Sequence, residues 1–550
     1  MLKALCKTIS QQNYKKVVNM RKFNKRILSL FLSTAMLVSL VACNKTKGDE
    51  TKSGKEGKKE QKSAFRLETL KLQGGTNWGM SNPFLQDPRG PGTSKVKMIF
   101  DSLLDEDEKG IIPWLAKEWK VEGDEYIFKI YENAKWHDGK PLTTEDIGFS
   151  IDYYRKHNPI NSRIGTGEKM LVKSYKIVSP TEIRIKAAKQ NANTLKSIGG
   201  FLIIPKHIWE KVENPKTFTT PEAFVGSGPY KWGKYDGANG SYEFIANQEY
   251  YGRKPVAKRV LFVPVSDPLL AFENGEIDIT NVPVDLMDKY KKNDKIGMIE
   301  KTNDSGYKLI LNMDKQPAFK DIKARKALYY ALNRQSIADK VFRGLAVPAS
   351  AGYVPVTNTF YTDKVEKYNY EPAKAKEILS PLNINVEILS SNSGSDIKIM
   401  ELIKNDLEAA GVKVTLKSVD GKTRDEKVLK HDFQFALVGN GGWGRTPDYL
   451  RTLFSDKSKY VGKNPHSMGP VGYSNEAMTK LAEDQLLETN MEKRKELLQE
   501  LQVMISKEVP LIVITTQSSF VMFKKDYYKD WVKTYDYQQL EQNRMSYVEK

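Results

Sequence analysis

A glycine-rich segment around one tryptophan is the most promising ligand-binding feature of the sequence. The segment is Asn440-Gly441-Gly442-Trp443-Gly444-Arg445-Thr446-Pro447-Asp448, and only Gly439 separates it from the apolar stretch 435–438. Glycines let a backbone approach a ligand closely, and the indole of Trp443 offers a rigid stacking face. A strand that opens into such a loop is typical of a binding site, although a plain glycine-rich turn has the same composition.

The sequence patterns that indicate catalysis or metal binding are missing from the chain. It has no Gly-x-Ser-x-Gly or His-Glu-x-x-His motif, and its Asp and Glu residues form no pair distinguishable from surface charge. The five histidines show no paired spacing typical of metal ligands. His466, close after the loop, is the one histidine that leaves a metal-chelate ligand as an alternative. We therefore predict a binding protein without a cofactor or metal, and not an exported hydrolase.

Cys43 has the context of a lipid attachment site. It closes the apolar run 27–42, which follows a basic cluster at 21–26 and ends in the small residues before the cysteine. This order predicts an export signal at 1–42, too short for a stable membrane span. The segment resembles the lipobox of bacterial lipoproteins, which implies a diacylglyceryl group on Cys43 and an extracytoplasmic protein anchored to the cell membrane. An uncleaved anchor is the alternative.

Two segments beside the signal are assigned from composition. Residues 1–19 precede a second methionine, Met20, and are interpreted as an upstream extension that contains Cys6. Residues 43–63 are rich in Lys, Gly, Glu, Ser and Thr and have no large apolar residue, so we predict a lipidated flexible tether. Beyond Cys43 the sequence has no cysteine, which excludes an internal disulfide or a thiolate metal site there.

The net charge of +19 does not indicate nucleic-acid binding. The first 43 residues carry eight Lys and Arg without an acid, and residues 44–63 carry seven Lys against four acids, so about +8 is left for the remainder. Spread over that length without a basic-aromatic motif, the excess favours a solvated surface near an anionic membrane.

The elements that must position the loop form a mixed α/β pattern. Residues 65–72 alternate like a half-buried strand, and Thr143 with Asp146 predicts a capped helix. Further helices are expected at 321–333, with Arg325 facing outward, and at 398–410, 476–487 and 492–505, and further strands at 412–419 and 511–514. The length exceeds what one core usually supports, so several lobes are predicted.

A series of motifs recurs in one order over nearly the whole chain after the tether. They are Pro113-Trp-Leu-Ala-Lys-Glu-Trp119, Trp136-His-Asp-Gly139, Ile204-Pro-Lys-His-Ile-Trp209, Gly226-Ser-Gly-Pro-Tyr230, Asn247-Gln-Glu-Tyr-Tyr251, Phe272-Glu-Asn-Gly-Glu-Ile-Asp278, Leu311-Asn312 with Pro317 to Leu328, Tyr370-Glu-Pro-Ala-Lys-Ala375 and Tyr473-Ser-Asn475. Together they resemble the bacterial extracellular solute-binding proteins of family 5, the peptide- and nickel-type receptors of ABC importers.

The resemblance implies an α/β fold: a two-lobe periplasmic-binding-protein clamshell of type II, like the peptide-binding proteins, with an extra inserted subdomain. Lobe I would take 64–103, 226–310 and 524–550. Residues 104–225 would form the inserted subdomain, and residues 311–523 lobe II.

The resemblance also implies a function and a site. The protein would be a monomer that captures a small peptide or peptide-like solute by lobe closure and delivers it to an ABC permease driven by ATPase subunits. The alternatives are a nickel or metal-chelate receptor and a chaperone or sensory lipoprotein of the same fold.

The loop departs from the pattern of peptide-binding relatives, which usually carry an aspartate shortly after the tryptophan. Gly444-Arg445-Thr446 stands there instead, and Asp448 lies further on. Arg445 would suit a carboxylate or another anionic ligand, or could point to solvent. The other candidate residues of the cleft are Asn77, Trp78, Asn82, Tyr307 and Tyr353.

Overall fold

The computed structural model describes residues 65–87, 90–107, 109–441, 447–459, 469–533 and 540–550, without the side chains of 302–304, 440, 441, 458 and 459. Residues 63–550 form one compact unit. The export signal and tether predicted at 1–63, with Cys43, lie outside the described residues.

The described strands belong to four sheets. In chain order they are β1 (Leu67–Gln73), β2 (Leu104–Asp107), β3 (Gly110–Pro113), β4 (Ala116–Glu122), β5 (Glu125–Ile130), β6 (Val172–Ser179), β7 (Glu182–Ala187), β8 (Tyr230–Asp236), β9 (Ser241–Ala246), β10 (Ala257–Val263), β11 (Ile279–Asn281), β12 (Ile296–Leu311), β13 (Ala346–Pro348), β14 (Asn385–Ser391), β15 (Lys413–Val419), β16 (Phe435–Gly441) and β17 (Ile512–Lys524).

Helices alternate with these strands. They are α1 (Gly90–Ile99), α2 (Thr144–Lys156), α3 (Thr194–Gly200), α4 (Lys206–Trp209), α5 (Pro268–Asn274), α6 (Met287–Lys291), α7 (Ile322–Ala331), α8 (Arg334–Phe342), α9 (Pro372–Leu379), α10 (Gly394–Ala409), α11 (Gly421–Leu429), α12 (Tyr449–Phe454), α13 (Asp456–Lys459), α14 (Glu476–Leu487) and α15 (Met491–Glu508). The predicted mixed α/β pattern is confirmed.

Two antiparallel-rich sheets share one core in the first half of the chain. The order is β1-β10-β9-β8 in one sheet and β4-β5-β7-β6 in the other, and β1 pairs with β10 in parallel. Leu70, Phe128 and Phe244 are fully buried in this shared core, which also takes in Tyr547 near the C-terminus. The predicted strand near residue 65 is confirmed as β1, with Leu67, Leu70 and Leu72 buried.

Helix α2 begins where the sequence predicts. The Thr143 side chain accepts a hydrogen bond from the Glu145 backbone, and the Asp146 carboxylate accepts one from the Thr143 backbone over 3.0 Å, which completes a capping box. Ile147 and Ile151 then bury one face of the helix. The cap therefore fixes the start of the helix, and the apolar stripe fixes its orientation.

A larger sheet dominates the second half of the chain. Its order is β11-β17-β12-β16-β14-β15, and β13 also pairs with β17. The long strands β12 and β17 lie antiparallel from Ile296 opposite Lys524 to Leu309 opposite Ile512, with register irregularities between Lys301 and Ser305 and between Tyr307 and Lys308. Alternate residues of a strand face opposite sides, so Leu309 and Lys308 lie on different faces of the sheet.

Helices cover both faces of this sheet. Leu309, Leu311 and Ile512 pack with α7, α8 and α10 on one face. Leu511 and Val513 pack with α12, α14 and α15 on the other. The predicted helices at 398–410, 476–487 and 492–505 are confirmed as α10, α14 and α15.

One expectation about α7 is wrong. The sequence pattern places Arg325 on an outward face, but its side chain is buried and its guanidinium donates to the carbonyl oxygens of Phe319, Lys320 and Glu508. Burial of a guanidinium is tolerated where its N–H groups find acceptors. Phe319 and Lys320 lie at the end of the turn before α7, and Glu508 is the last residue of α15. Tertiary packing sets the positions of these carbonyl oxygens.

Candidate functional site

The predicted loop starts from the end of β16, which lies beside β12. Gly441, the last residue of β16, is opposite Ser305. Gly442, Trp443, Gly444, Arg445 and Thr446 lie outside the described residues, as does His466. The assignment of these residues to a ligand site stays a prediction.

Asp448 follows the loop and precedes α12, and its carboxylate already has protein partners. The buried Arg494 guanidinium donates to one carboxylate oxygen, and the Asn193 amide donates to the other over 3.0 Å. Arg494 is also held by the Gln485 side chain at 3.1 Å. Asp448 thus connects α15 with the segment that precedes α3, in a part of the chain far away in sequence.

Tyr353 packs against helix α12. Its ring centroid is 5.6 Å from that of Tyr449, the residue after Asp448, and 5.7 Å from that of Phe454. Tyr353 is fully buried and has a φ of 75°, a conformation that costs a tyrosine on the order of 1–3 kcal/mol. Packing of the ring in the α12 core therefore holds the backbone in a strained conformation.

Lys308 donates to the Tyr353 hydroxyl over 2.8 Å and is a residue that the sequence analysis missed. Its side chain is 3% exposed, and burial lowers the pKa of its ammonium to about 7. Within the described residues no carboxylate forms an ion pair with it. The one available signal is a lysine inside the apolar stretch 307–311, which alone does not distinguish burial from an exposed strand face.

Tyr307 faces the opposite side of the sheet from Tyr353. It packs against Phe342, and its hydroxyl donates to the Asp396 carboxylate over 3.0 Å. The same carboxylate accepts from the Ser391 and Ser393 hydroxyls over 2.7 and 2.8 Å. Burial, followed by the Asp396 charge, raises the pKa of Tyr307. The structure therefore does not bring Tyr307 and Tyr353 to one surface.

Asn77, Trp78 and Asn82 lie together on the segment between β1 and α1. The exposed Asn77 side chain accepts from the Tyr235 hydroxyl over 2.8 Å, and the Trp78 backbone donates to the Tyr242 hydroxyl over 2.7 Å. Asn82 is fully buried, and its side-chain oxygen accepts from the backbones of Phe84 and Leu85. Within the described residues, none of these three makes a hydrogen bond or ring contact with Tyr353 or Asp448.

Trp78 lines a cavity of about 240 Å³ that also contacts α1, β11, β12 and β17. Lys95, Lys301 and Glu541 give this cavity two positive groups and one carboxyl. The Lys95 ammonium lies 3.8 Å from the Phe262 ring centroid, and burial lowers its pKa to about 7 despite the Glu541 charge. Burial also raises the pKa of Glu541. Such a mixed polar lining suits a ligand that carries both charged and neutral groups.

Metal-binding clusters and membrane-spanning helices were sought among the residues that the structure describes. There, no group of three or more His, Cys, Asp or Glu side chains is arranged to hold a metal ion. No helix within the same ranges is both long and apolar enough to cross a membrane.

Comparison with known proteins decides the family. Residues 110–461 match the family model described as bacterial extracellular solute-binding proteins, family 5, middle region. The chain belongs to this family. Membership in family 5 confirms the resemblance drawn from the motifs. It also confirms the prediction that the chain is not an enzyme, because these proteins bind solutes.

Relatives of this family 5 protein carry different names. The dipeptide-binding protein of Escherichia coli is 24% identical over 454 residues, which cover 76% of this chain and 83% of that protein. The nickel-binding periplasmic protein of the same organism is 23% identical over 406 residues, or 68% and 75% of the two chains. Family 5 membership therefore does not by itself select one ligand.

A solved structure of an ABC transporter substrate-binding protein, CtaP from Listeria monocytogenes, is similar to the family 5 chain. Its TM-score is 0.71 at 25% identity, and the alignment covers 84% of this chain and 94% of that chain. This agreement confirms the predicted fold class, an α/β periplasmic-binding-protein fold.

Proposed function

We propose that the protein is the substrate-binding component of an ABC importer and captures a small peptide or peptide-like solute between two lobes. Lobe I would comprise 64–103, 226–310 and 524–550, with the inserted subdomain 104–225, and lobe II would comprise 311–523. No bond is broken in this function.

The long antiparallel pair β12–β17 is the observation that carries this proposal. One end packs in a cluster that contains Met298 and Met522, and the other end packs in the cluster that contains Leu309 and Ile512. Two adjacent strands that join two cores, with irregular register between them, support hinge closure around a ligand. Closure would bury the ligand between two surfaces, and main-chain hydrogen bonds would bind a peptide backbone with little side-chain selectivity.

The site proposed for the solute lies around the loop after β16. Gly441, Gly442, Trp443, Gly444, Arg445 and Thr446 would contact the ligand, and Asn77, Trp78, Asn82 and Tyr353 are the further proposed contacts. Contacts already made by Asp448 and Tyr307 favour a positioning role for these two residues. The buried charge of Lys308, beside Tyr353, supports a ligand with a carboxylate, as Arg445 does.

The ligand class is tested by native mass spectrometry of protein purified from rich medium. We expect bound masses that differ by amino-acid residue masses. Arg445→Gln should reduce this bound fraction, whereas Arg253→Gln, a substitution at an exposed arginine of lobe I, should not. A single metal-containing mass would instead support the nickel or metal-chelate receptor that the nickel-binding relative suggests.

We propose further that the mature protein works as a monomer outside the cell membrane, held by lipid on Cys43 and the tether 43–63, and delivers its solute to permease and ATPase subunits. Cys43→Ser should move the protein from the membrane fraction to the soluble fraction and abolish labelling with a radioactive fatty acid. Cys6→Ser is the matched control and should change neither. Unchanged membrane association of Cys43→Ser would contradict lipid anchoring.

A further inference from the structure

A second cavity, separate from the residues assigned to the solute, has the features of a binding site. It has a volume of about 330 Å³ and lies where the segment 83–97 meets residues 154–164 and 200–202. A cavity of this size is within the range of small-molecule sites, which starts at about 300 Å³. None of the candidate solute residues lines it.

One wall of this cavity is apolar and aromatic. Tyr154, Ile164 and Phe201 line it and are buried. The Tyr154 and Phe201 rings contact each other edge to face, with centroids 6.3 Å apart. The Tyr154 hydroxyl donates to the Leu202 carbonyl over 2.9 Å, so the ring presents an apolar surface. Such a wall suits an apolar or aromatic body.

A buried amide oxygen without a hydrogen-bond partner also belongs to one of the residues that line the cavity. Gln86 is 3% exposed, and its side-chain oxygen accepts no hydrogen bond from the described residues. A flip of the amide would bring the Nε2 donor to the position of this oxygen, facing the same surroundings. A buried polar group without a hydrogen bond destabilises a protein, which makes the amide a candidate ligand contact.

The charges around the cavity leave a positive excess. Lys97 and Arg163 both line it. Lys97 pairs with Asp105 at 3.2 Å, and Asp105 and Asp101 also pair with Arg544. Within the described residues Arg163 forms no ion pair. Arg163 is therefore the cation of this lining that lacks a carboxylate partner in the described ranges, and it supplies the positive excess.

The behaviour of Lys97 agrees with this excess. Burial lowers the pKa of its ammonium, and the Arg163 and Arg544 charges lower it further against the attraction of Asp105. A bound anion would relieve the repulsion between Lys97 and Arg163.

We propose that this cavity binds a small monocarboxylate with an aromatic or branched apolar body. The carboxylate would pair with the Arg163 guanidinium and accept from Gln86 Nε2, with the amide flipped so that Nε2 takes the place of the unpartnered oxygen. The body would pack on Tyr154 and Phe201. The single unpaired guanidinium of Arg163 favours a monoanion as the ligand, and the apolar wall disfavours acetate and inorganic phosphate.

The test is calorimetric titration of the purified chain with phenylacetate, with phenylacetamide as the neutral analogue and acetate as the bare anion. We expect one phenylacetate per chain and binding at least about tenfold weaker for the two analogues. Arg163→Gln should weaken phenylacetate binding about tenfold or more, because a charge-assisted hydrogen bond is lost. Arg184→Gln, in the same subdomain among surface carboxylates, should bind as the unmodified protein does.

A second variant separates binding from folding. Gln86→Leu removes the buried amide without a partner, so we expect a higher Tm of the ligand-free protein together with weaker phenylacetate binding. Absence of phenylacetate binding at about 10 mM, or equal binding by Arg163→Gln, would overturn the proposal. Equal binding of phenylacetate and phenylacetamide would overturn it as well.

Discussion

At the scale of single residues, the chain contains buried charged groups that its sequence does not reveal. Lys308 stands in an apolar stretch, and the pattern alone fits an exposed strand face as well as a buried one. Its burial results from β16 and β17, which pair with β12 but lie far away in sequence. The capped start of α2 could be predicted because all of its partners are local.

Replacement of Lys308 tests the cost of its burial. Lys308→Met should stabilise the ligand-free protein at pH 7 by on the order of 1–3 kcal/mol, because an ammonium without a carboxylate partner leaves the core. The pKa of about 7 in the folded protein lies below the ordinary lysine value of 10.5. The unfolded chain therefore binds more protons between these values, and the advantage of the variant should shrink as pH rises through this window. Urea unfolding at several pH values measures it.

A constant difference across that window would show that Lys308 stays protonated in the folded protein. Lys340→Met, at an exposed position of α8, is the matched control and should shift stability by less than about 0.5 kcal/mol.

The environment of His137 predicts that the folded protein loses stability in acid. Its Nδ1 accepts from the Gly226 backbone and its Nε2 donates to the Gly228 carbonyl, over 3.2 and 3.0 Å. Burial, helped by the Lys231 charge, lowers its pKa from 6.5 to about 4 against the opposing effects of the Gly228 hydrogen bond and the Asp138 charge. As pH falls, the histidine is protonated in the unfolded chain before it is protonated in the folded protein. The free energy of unfolding should therefore decrease by about 3 kcal/mol between the two pKa values.

The measurement is urea unfolding between pH 7 and 4. His137→Asn should be less stable than the unmodified protein at pH 7 but lose less stability on acidification. His157→Asn is the control and should lose as much stability on acidification as the unmodified protein. Equal acid losses for His137→Asn and the unmodified protein would exclude this histidine as the cause.

At the scale of secondary-structure elements, caps and apolar stripes could be predicted from sequence, but the partners of long side chains could not. The cap of α2 involves residues 143–146. The buried Arg325 of α7 has an acceptor in Glu508, 183 residues later in the chain. A periodic pattern records which face of a helix is apolar; it does not record where another element supplies carbonyl oxygens. The same reason explains why the partners of Asp448 were missed.

The cap of α2 gives a direct test at this scale. Thr143→Ala should lower the free energy of unfolding by about 1 kcal/mol, because the helix loses a side-chain acceptor at its first turn. Thr143→Ser keeps the hydroxyl and should cost much less. Thermal unfolding followed by circular dichroism compares the two; equal losses would mean that the methyl group of the threonine matters, not the cap.

At the scale of the whole molecule, segments far apart in sequence meet at a small polar contact. The Asn193 amide donates to Asp448, and the Ala192 backbone donates to the Leu486 carbonyl over 2.9 Å. In the proposed arrangement of lobes, this contact joins the inserted subdomain to lobe II. Family membership could be predicted from the motifs, but this contact could not, because Asn193 belongs to no motif and nothing in the sequence connects it to Asp448.

Removal of the Asn193 amide should favour an open form. One hydrogen bond contributes about 1 kcal/mol, so Asn193→Ala should raise the open population about fivefold and increase the radius of gyration measured by small-angle X-ray scattering without ligand. Asn158→Ala, an exposed asparagine of the same subdomain, should change nothing. Asp448→Ala is not an equivalent variant, because it would leave the buried Arg494 without its carboxylate.

Helix α1 forms a wall of both cavities. Lys95 lines the cavity that contains Trp78, and Lys97 lines the one that contains Arg163. Residues two apart in a helix point to nearly opposite sides, so a displacement of α1 that widens one space narrows the other. Two occupants would then compete for the position of one short helix. Each would weaken the other by the same factor, since coupling between two equilibria is reciprocal.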